Sequence, residues 1–406
     1  MENTRILAEG ELLPNHIYSP INRNDLIIGS TGAGKTRSYV IPNLIHAAKI
    51  GEESMIVTDT KGEIRKLLTN YLSSMGYRVF DIDFTNMSSS PHGYNPFDFI
   101  QSDEDIRTLS RALIQNECGD EPFWDNAVRQ LFSLLVSAAD YGKDIFRVPF
   151  TPAGISELFE DFMASPDYFQ AMLNQVDEKV PDAHLFRKFR AFSSMARADK
   201  TWSCITGMLN ERLYRYSGSD QEIFYRRSVK NLFERCAKEK TVIFLTVSDT
   251  DRSMDELVSL FYTQALQQLT KTADNSKGRH LKHPVRMYLD DFATNTKIEN
   301  FDRIISVIRS RGIAVSLMIQ SIAQLESLYG SSKAVTITGN CDTKLLLSVQ
   351  DDVTADVFSR YVNKSPFTLL TTPVNTAYLL VRGRMPRTVS KYDVSFDTLM
   401  SKDYEA

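Results

Sequence analysis

The chain has little cysteine to work with: four residues in 406, Cys118, Cys204, Cys236 and Cys341, scattered and without a C-x-x-C pair. That spacing argues against a disulfide framework or a cysteine-built zinc site and reads as reduced cytosolic thiols. Histidine is also sparse, and the close pair His280 and His283 sits in "NSKGRHLKHP", which reads as a polar loop and not as a metal centre. Long apolar runs are missing. Nothing approaches the roughly 18 to 20 residues that span a bilayer, and "MENTRILAEGELLPNH" lacks the basic start and apolar stretch of a signal peptide, so the chain is expected to be soluble. A dominant charge is absent too. At a net charge of -4 the whole molecule is not drawn to phosphate, and any nucleic-acid contact must come from a local basic surface.

What is present is ordinary globular material, 42% hydrophobic and 24% charged, in a length suited to two or three domains. Short apolar stretches alternate with helix-period segments at both ends of the chain, the pattern of an α/β protein with a parallel sheet and covering helices. The candidate strands are "DLIIG" at 25–29, "SMIVTD" at 54–59, "YRVFDID" at 77–83, "TVIFLTV" at 241–247, "VRMYLD" at 285–290, "IAVSLMI" at 313–319, "TKLLLSV" at 343–349 and "AYLLV" at 377–381. Between 101 and 238 this signal disappears and amphipathic helical segments take over. The expected organisation is a nucleotide-binding α/β domain in two parts, 1–100 and 239–406, around a large central sheet, with an all-α insertion at 101–238.

The stretch "GSTGAGKT", from Gly29 through Ser30, Thr31, Gly32, Ala33, Gly34 and Lys35 to Thr36, satisfies G-x-x-x-x-G-K-[ST] between an apolar strand and a helix-compatible segment. Glycines let backbone N–H groups turn in around phosphates, Lys35 adds a charge near the outer phosphate oxygens, and Thr36 can hold Mg²⁺. Such a loop needs an acidic partner at the end of another strand. Asp290 and Asp291, after "RMYL", offer two carboxylates, one for the metal and one for polarising water. Asp59, ending "MIVTD", is a second candidate, although Asp59 or Thr60 is equally suited to capping a helix, with Glu63 completing a capping box.

Taken together, "GSTGAGKTR", "DTKGE", "YNPF", "FWDNAVRQL", "VSDTD", "YLDDFA", "SRGIAVSLMIQSIAQL", "GNCDTKLLLS" and "LVRGRMP" resemble, in order, the TraG-like coupling ATPases of type IV secretion and conjugation. The resemblance runs from about Gly29 to Pro386. It implies a RecA-like motor that assembles into hexameric rings, binds ATP and Mg²⁺, and hydrolyses ATP between subunits. It also implies delivery of relaxase-bound DNA or protein substrates to a secretion channel. By position, Lys35 and Thr36 match the nucleotide loop and Asp290 the metal-side carboxylate. Arg309 matches an arginine acting on a neighbour's nucleotide, and Gln320 a γ-phosphate sensor. Solvated helix end and helix cap remain the plainer readings of Arg309 and Gln320.

Two features depart from that family. Asp291 stands where Asp-Glu is usual, one methylene short, which suggests slow or activation-dependent hydrolysis. Membrane helices common in the family are absent, which suggests a cytoplasmic protein recruited to the inner face of the plasma membrane by a tethering partner, or a chain relieved of its membrane part. Basic residues mixed with aromatics in "HLFRKFRAFSSMARADK" and "IFYRRSVK" suggest Arg187, Lys188, Arg190, Arg226 and Arg227 on phosphates with Phe186, Phe189 or Tyr225 stacked on single-stranded bases. A helix with its phenylalanines in the core explains the same pattern. Two functions follow: a DNA-stimulated motor, or a nucleotide-binding substrate receptor with little hydrolysis. A ring translocase of another P-loop class is a variant of the first.

Overall fold

All eight apolar stretches form strands, and three further strands accompany them: β1 (Thr4–Ala8), β2 (Glu11–Pro14), β3 (Asp25–Ile28), β4 (Ser54–Asp59), β5 (Arg78–Asp83), β6 (Thr241–Thr246), β7 (Val285–Leu289), β8 (Ile313–Ile319), β9 (Thr343–Leu346), β10 (Thr376–Val381) and β11 (Arg387–Ser390). The computed structural model describes residues 2–114, 122–292 and 297–394, so Cys118 lies outside the described residues. Cys204 is exposed, Cys236 and Cys341 are buried, and all three are free thiols. The chain divides into two units: Met1–Thr85, Leu232–Arg252 and Ala265–Ala406 form the first, and Asn86–Asn231 with Ser253–Gln264 the second.

In the first unit nine strands make one sheet in the order β11-β10-β9-β3-β8-β7-β4-β6-β5. Strands β3, β4, β6, β7 and β8 are buried at every residue, which is why they read as unbroken apolar runs: a parallel strand covered on both faces has no polar side to alternate with. The edge strands β5 and β11 are partly exposed. The sheet is mixed where a parallel one was expected. Strand β10 runs antiparallel to both β9 and β11, and an apolar run such as "AYLLV" carries no sign of its direction. Strands β1 and β2 form a separate antiparallel hairpin turned at Gly10, whose φ of 70° suits glycine.

A buried polar network ties the hairpin and the loop helix to the sheet. The Asp25 carboxylate at the start of β3 accepts from Arg5 at 2.9 Å, from Arg286 at 3.2 Å and from the Tyr39 hydroxyl at 2.7 Å, and all four side chains are almost wholly buried. Removing one partner would strand a buried charge, at a cost on the order of 3–5 kcal/mol.

The second unit is helical among its described residues. Helices Pro152–Ala164, Pro166–Lys179, Leu185–Met195 and Asp199–Tyr214 share a core in which Phe162 meets Phe169, Phe189 and Trp202. The unit starts at Asn86 because "YNPF" belongs to it. The Tyr94 hydroxyl donates to Gln264 at 2.5 Å, and the Gln264 amide donates to the Pro96 carbonyl at 2.9 Å. These units therefore divide the chain at different places from the strand-defined segments 1–100, 101–238 and 239–406.

The base-stacking expectation fails for two of its three aromatics. Phe189 and Tyr225 are core residues at 6% and 2% exposure, leaving no face for a base. Several of the basic residues are engaged as well. Lys188 pairs with Asp103 and Arg226 with Glu222, while Arg227 donates to the Ser88 and Ser90 carbonyls and Arg190 lies over the Phe186 ring.

Candidate active site

Strand pairing brings the candidate residues to one edge of the sheet. The register sets Ile28 of β3 beside Ile319 of β8 and Leu346 of β9, so Gly29, Gln320 and the residues after β9 emerge together at the carboxyl ends of parallel strands, where ligands bind in open α/β sheets. The loop starts at Gly29, which donates to the Ile319 carbonyl at 3.0 Å. It bends through Gly32 and Gly34 at φ values of 79° and 89°, where a side chain would be strained, and enters a wide turn at Thr36–Val40 that continues as helix Ile41–Ile50.

Within this frame Lys35, only 8% exposed, donates from Nζ to the Gly29 carbonyl at 2.8 Å and lies 3.7 Å from Asp291 Oδ1. The Thr36 hydroxyl donates to Asp290 Oδ2 at 3.3 Å, and the Gln320 amide reaches Asp291 Oδ1 at 3.4 Å. Burial first, then the neighbouring Asp291 charge, pushes the Asp290 carboxyl up to about 6, while Lys35 and the N–H of Asp291 pull the other way. A cleft of about 420 Å³ is lined by the loop from Ser30 to Arg37 together with Asp59, Lys61, Glu63, Asp249, Asp290, Asp291 and Gln320. Lys35, Thr36, Asp290, Asp291 and Gln320 thus meet in one cleft.

Arg309 is not brought to them. It precedes β8 while Gln320 follows it, and seven strand residues separate the two ends by about 23 Å. Its Nη2 donates to the Ser19 carbonyl at 2.7 Å and the Pro20 carbonyl at 3.2 Å. Asp59 lines the cleft and also caps helix Glu63–Ser74, accepting from the N–H groups of Glu63 at 3.1 Å and Arg65 at 2.8 Å.

Three residues that sequence reasoning assigned no role bear on the cleft. Ser348, after β9, holds the loop: Ser30 N–H donates to its hydroxyl at 3.1 Å and the two hydroxyls lie 2.8 Å apart. Lys391, just past β11, donates from Nζ to the Ala33 carbonyl at 3.0 Å, and burial lowers its pKa. Asp249 adds a carboxylate from the segment after β6. Its place was signalled by "VSDTD" following an apolar strand, whereas Ser348 and Lys391 depend on strand order, which is not written in local sequence.

A glycine loop, its lysine and a carboxylate pair at the carboxyl ends of a mostly parallel sheet define a RecA-like P-loop domain. The sequence profile described as type IV secretory system conjugative DNA transfer matches residues 16–369, and the chain belongs to that family. Among solved structures, the chain is similar to the unbound bacterial conjugative coupling protein TrwBdeltaN70, with a TM-score of 0.68 and 17% identity over 95% of this chain and 88% of that one. It is similar to TrwB bound to the non-hydrolysable ATP analogue ADPNP, with a TM-score of 0.67 and 17% identity over 96% and 89%. VirB4 of Thermoanaerobacter pseudethanolicus is more distant, with a TM-score of 0.60 and 12% identity over 98% and 97%. A search of curated proteins finds no significant match. No helix among the described residues is long and apolar enough to cross a membrane.

Proposed function

We propose that the chain is an ATP-hydrolysing coupling protein that delivers DNA, carried by a relaxase, or protein substrates to a type IV secretion channel. It works as a ring of copies, a hexamer by resemblance, at the inner face of the plasma membrane, where a membrane partner tethers it. The observation that carries this reading is the convergence of Lys35, Thr36, Asp290, Asp291 and Gln320 in one cleft at the loop. Family membership supports the conjugative role, and the complexes of the structurally similar TrwB with ADPNP and with ADP and Mg²⁺ support ATP and Mg²⁺ as ligands.

The donor set fits a hard cation. The Thr36 hydroxyl and Asp290 carboxylate, 3.3 Å apart, offer two oxygens to one Mg²⁺ beside the phosphates. The ion supplies charge neutralisation on the outer phosphate oxygens. The chain's residues do the rest. Backbone N–H groups of the loop cradle the phosphates, and Lys35 exchanges the Gly29 carbonyl for a phosphate oxygen. Asp291 orients and accepts a proton from the attacking water, and Gln320 holds Asp291 at one end and reports on the outer phosphate at the other. Arg309, remote from its own cleft, is directed at the nucleotide of a neighbouring copy.

A receptor reading with little hydrolysis is favoured by one observation: Asp291 is one methylene shorter than the family's usual glutamate, and a misplacement of about 1 Å costs on the order of a hundredfold in rate. Turnover with and without single-stranded DNA, across salt, beside Lys35→Ala and Asp291→Glu, separates the two. The motor predicts DNA-stimulated turnover, lost in Lys35→Ala, that falls steeply with salt as phosphate contacts give up their counterions. A DNA-insensitive rate at every salt concentration would exclude a DNA motor in the isolated chain, and a large gain in Asp291→Glu would favour the receptor. The charge of the second unit sharpens this test. It carries 23 acidic against 16 basic residues, so general attraction to DNA has to come from elsewhere.

A further inference from the structure

Two guanidinium groups from distant parts of the chain meet on one carbonyl oxygen. Arg309, ahead of β8, donates from Nη2 to Pro20 at 3.2 Å, and Arg382, just past β10, donates from Nη2 to the same oxygen at 2.6 Å. The antiparallel course of β10 is what brings them together. Val381 pairs with Thr343, the first residue of β9, so the carboxyl end of β10 arrives at the amino ends of its parallel neighbours, the end of the sheet that Arg309 occupies. Arg384 follows two residues on, exposed, and with Arg382 rims a groove of about 460 Å³.

The cluster is short of negative charge. Among the described residues Asp342 is the one carboxylate within ion-pair distance of either guanidinium, 3.3 Å from Arg382. It is nearly buried and already accepts the Asn22 N–H at 2.7 Å. A neutral carbonyl does not offset two cations, and the Arg382 side chain, 57% exposed, keeps most of its five N–H donors for solvent. A phosphate bearing two charges and three acceptor oxygens matches such a fork in charge and shape. Neither arginine lines the nucleotide cleft of its own chain. That cleft carries Asp59, Glu63, Asp249, Asp290 and Asp291 against three cations, so once loaded with a triphosphate it is the complementary surface on a second copy.

We propose that Arg382 is a second phosphate-directed arginine, acting with Arg309 on the terminal phosphate of a nucleotide bound by a neighbouring copy. In the free chain the Ser19 and Pro20 carbonyls hold the pair in place of that phosphate. This rests on the intersubunit reading of the cleft given above. As the bond to the nucleotide breaks, its electron pair goes to the leaving oxygen while negative charge stays spread over the transferring group's equatorial oxygens, and a second guanidinium adds to the stabilisation of that charge without taking part in proton transfer.

The test uses the full chain. With a non-hydrolysable ATP analogue and Mg²⁺, light scattering measures self-association, and ATP turnover is followed against protein concentration. Arg382→Ala is expected to weaken analogue-driven association and to cut turnover about tenfold or more, a part of the 10³- to 10⁵-fold span of such arginines. Analogue affinity at protein concentrations too low for association stays within about twofold of wild type, because in the isolated chain the arginine touches no nucleotide of its own. Arg382→Lys keeps the Asp342 pairing and the melting temperature but loses the fork, and falls with Arg382→Ala. Mixing Arg382→Ala, impaired, with Asp291→Asn, inactive alone, raises turnover above that of either variant because one chain supplies the arginines and the other an intact cleft.

An Arg382→Ala chain that associates and turns over as wild type overturns the proposal, as does full activity in Arg382→Lys or a mixture no more active than its Arg382→Ala component. If Arg309→Ala is impaired and rescued by mixing while Arg382→Ala is unimpaired, only the second arginine is refuted. If neither variant is impaired, or the wild-type chain neither associates with the analogue nor hydrolyses ATP, the intersubunit reading falls with it.

Discussion

Replacing Gly29 by alanine tests the loop at its tightest point. A Cβ at Gly29 would stand 2.9 Å from Cβ of Ala33, 3.3 Å from Cβ of Leu347 and 3.4 Å from Cγ of Lys35. Carbon atoms rest at about 3.5–4.0 Å, so the Ala33 side of the loop must retreat by roughly 0.5–1 Å against the Lys391 and Ser348 bonds that hold it. Overpacking of this kind costs about 1–3 kcal/mol. A displacement of about 1 Å in a site built to position phosphate costs on the order of a hundredfold. Titration with a fluorescent ATP analogue should therefore show affinity weakened by about tenfold to a hundredfold, alongside a lower melting temperature. The double variant Gly29→Ala/Ala33→Gly deletes the 2.9 Å contact and leaves the milder ones with Leu347 and Lys35, so most of the loss should return. Wild-type affinity in the single variant, or no recovery in the double, would refute this account of the loop.

Two further predictions concern the same cleft. Burial and the Asp291 charge push the Asp290 carboxyl up to about 6, from its ordinary value of 3.8. The fold thus favours its protonated form, and the stability this adds is fully present below about pH 4 and is lost as pH rises through 6. Binding Mg²⁺ needs the carboxylate, so calorimetric affinity for the Mg²⁺ complex of an ATP analogue should climb between pH 5 and 7, with its midpoint lowered in Asp291→Asn. A flat profile would refute the assignment of Asp290 to the metal. Lys391→Ala removes the donor to the Ala33 carbonyl, worth about 0.5–1.5 kcal/mol, and analogue affinity should fall by about twofold to tenfold, whereas unchanged binding would show that Lys391 does not hold the loop.

How much of this was legible in the sequence follows from where each residue gets its constraint. Strands β3, β4, β6, β7 and β8 announce themselves because burial on both faces leaves nothing but apolar residues, and "IAVSLMI" is buried throughout. The hairpin β1–β2 escaped because its short strands mix apolar residues with Arg5 and Glu11, whose partners Asp25 and Arg387 come from elsewhere in the chain. In the site, Lys35 and Thr36 belong to a local motif, Asp290 and Asp291 were found because they end an apolar strand, and Gln320 came from the family resemblance. Ser348 lay inside the expected strand "TKLLLSV" and is freed for the loop because β9 ends at Leu346, while only the adjacency of β9 to β3 makes it a partner of the loop. Phe189 and Tyr225 misled because an aromatic beside an arginine has the same spacing whether it faces core or solvent.

The carboxylate pair draws its chemistry from a break in strand geometry. Consecutive residues of a strand face opposite sides of the sheet, so Asp290 and Asp291 would point apart if β7 simply continued. Asp291 instead takes a φ of 46°, a left-handed conformation that costs a non-glycine residue about 1 kcal/mol or more, and its N–H donates back to Asp290 Oδ1 at 3.0 Å. Both carboxylates then line one cleft, Asp290 toward Thr36 and Asp291 toward Lys35 and Gln320. The same cation, 3.7 Å from Asp291 in the free chain, is the one a triphosphate claims in the proposed reaction. Drawing Lys35 onto phosphate would move that cation from the carboxylate to the substrate. Phosphate binding and the setting of Asp291 are thereby linked through one lysine, and the shorter side chain at 291 is compensated, in part, by a backbone that already aims it.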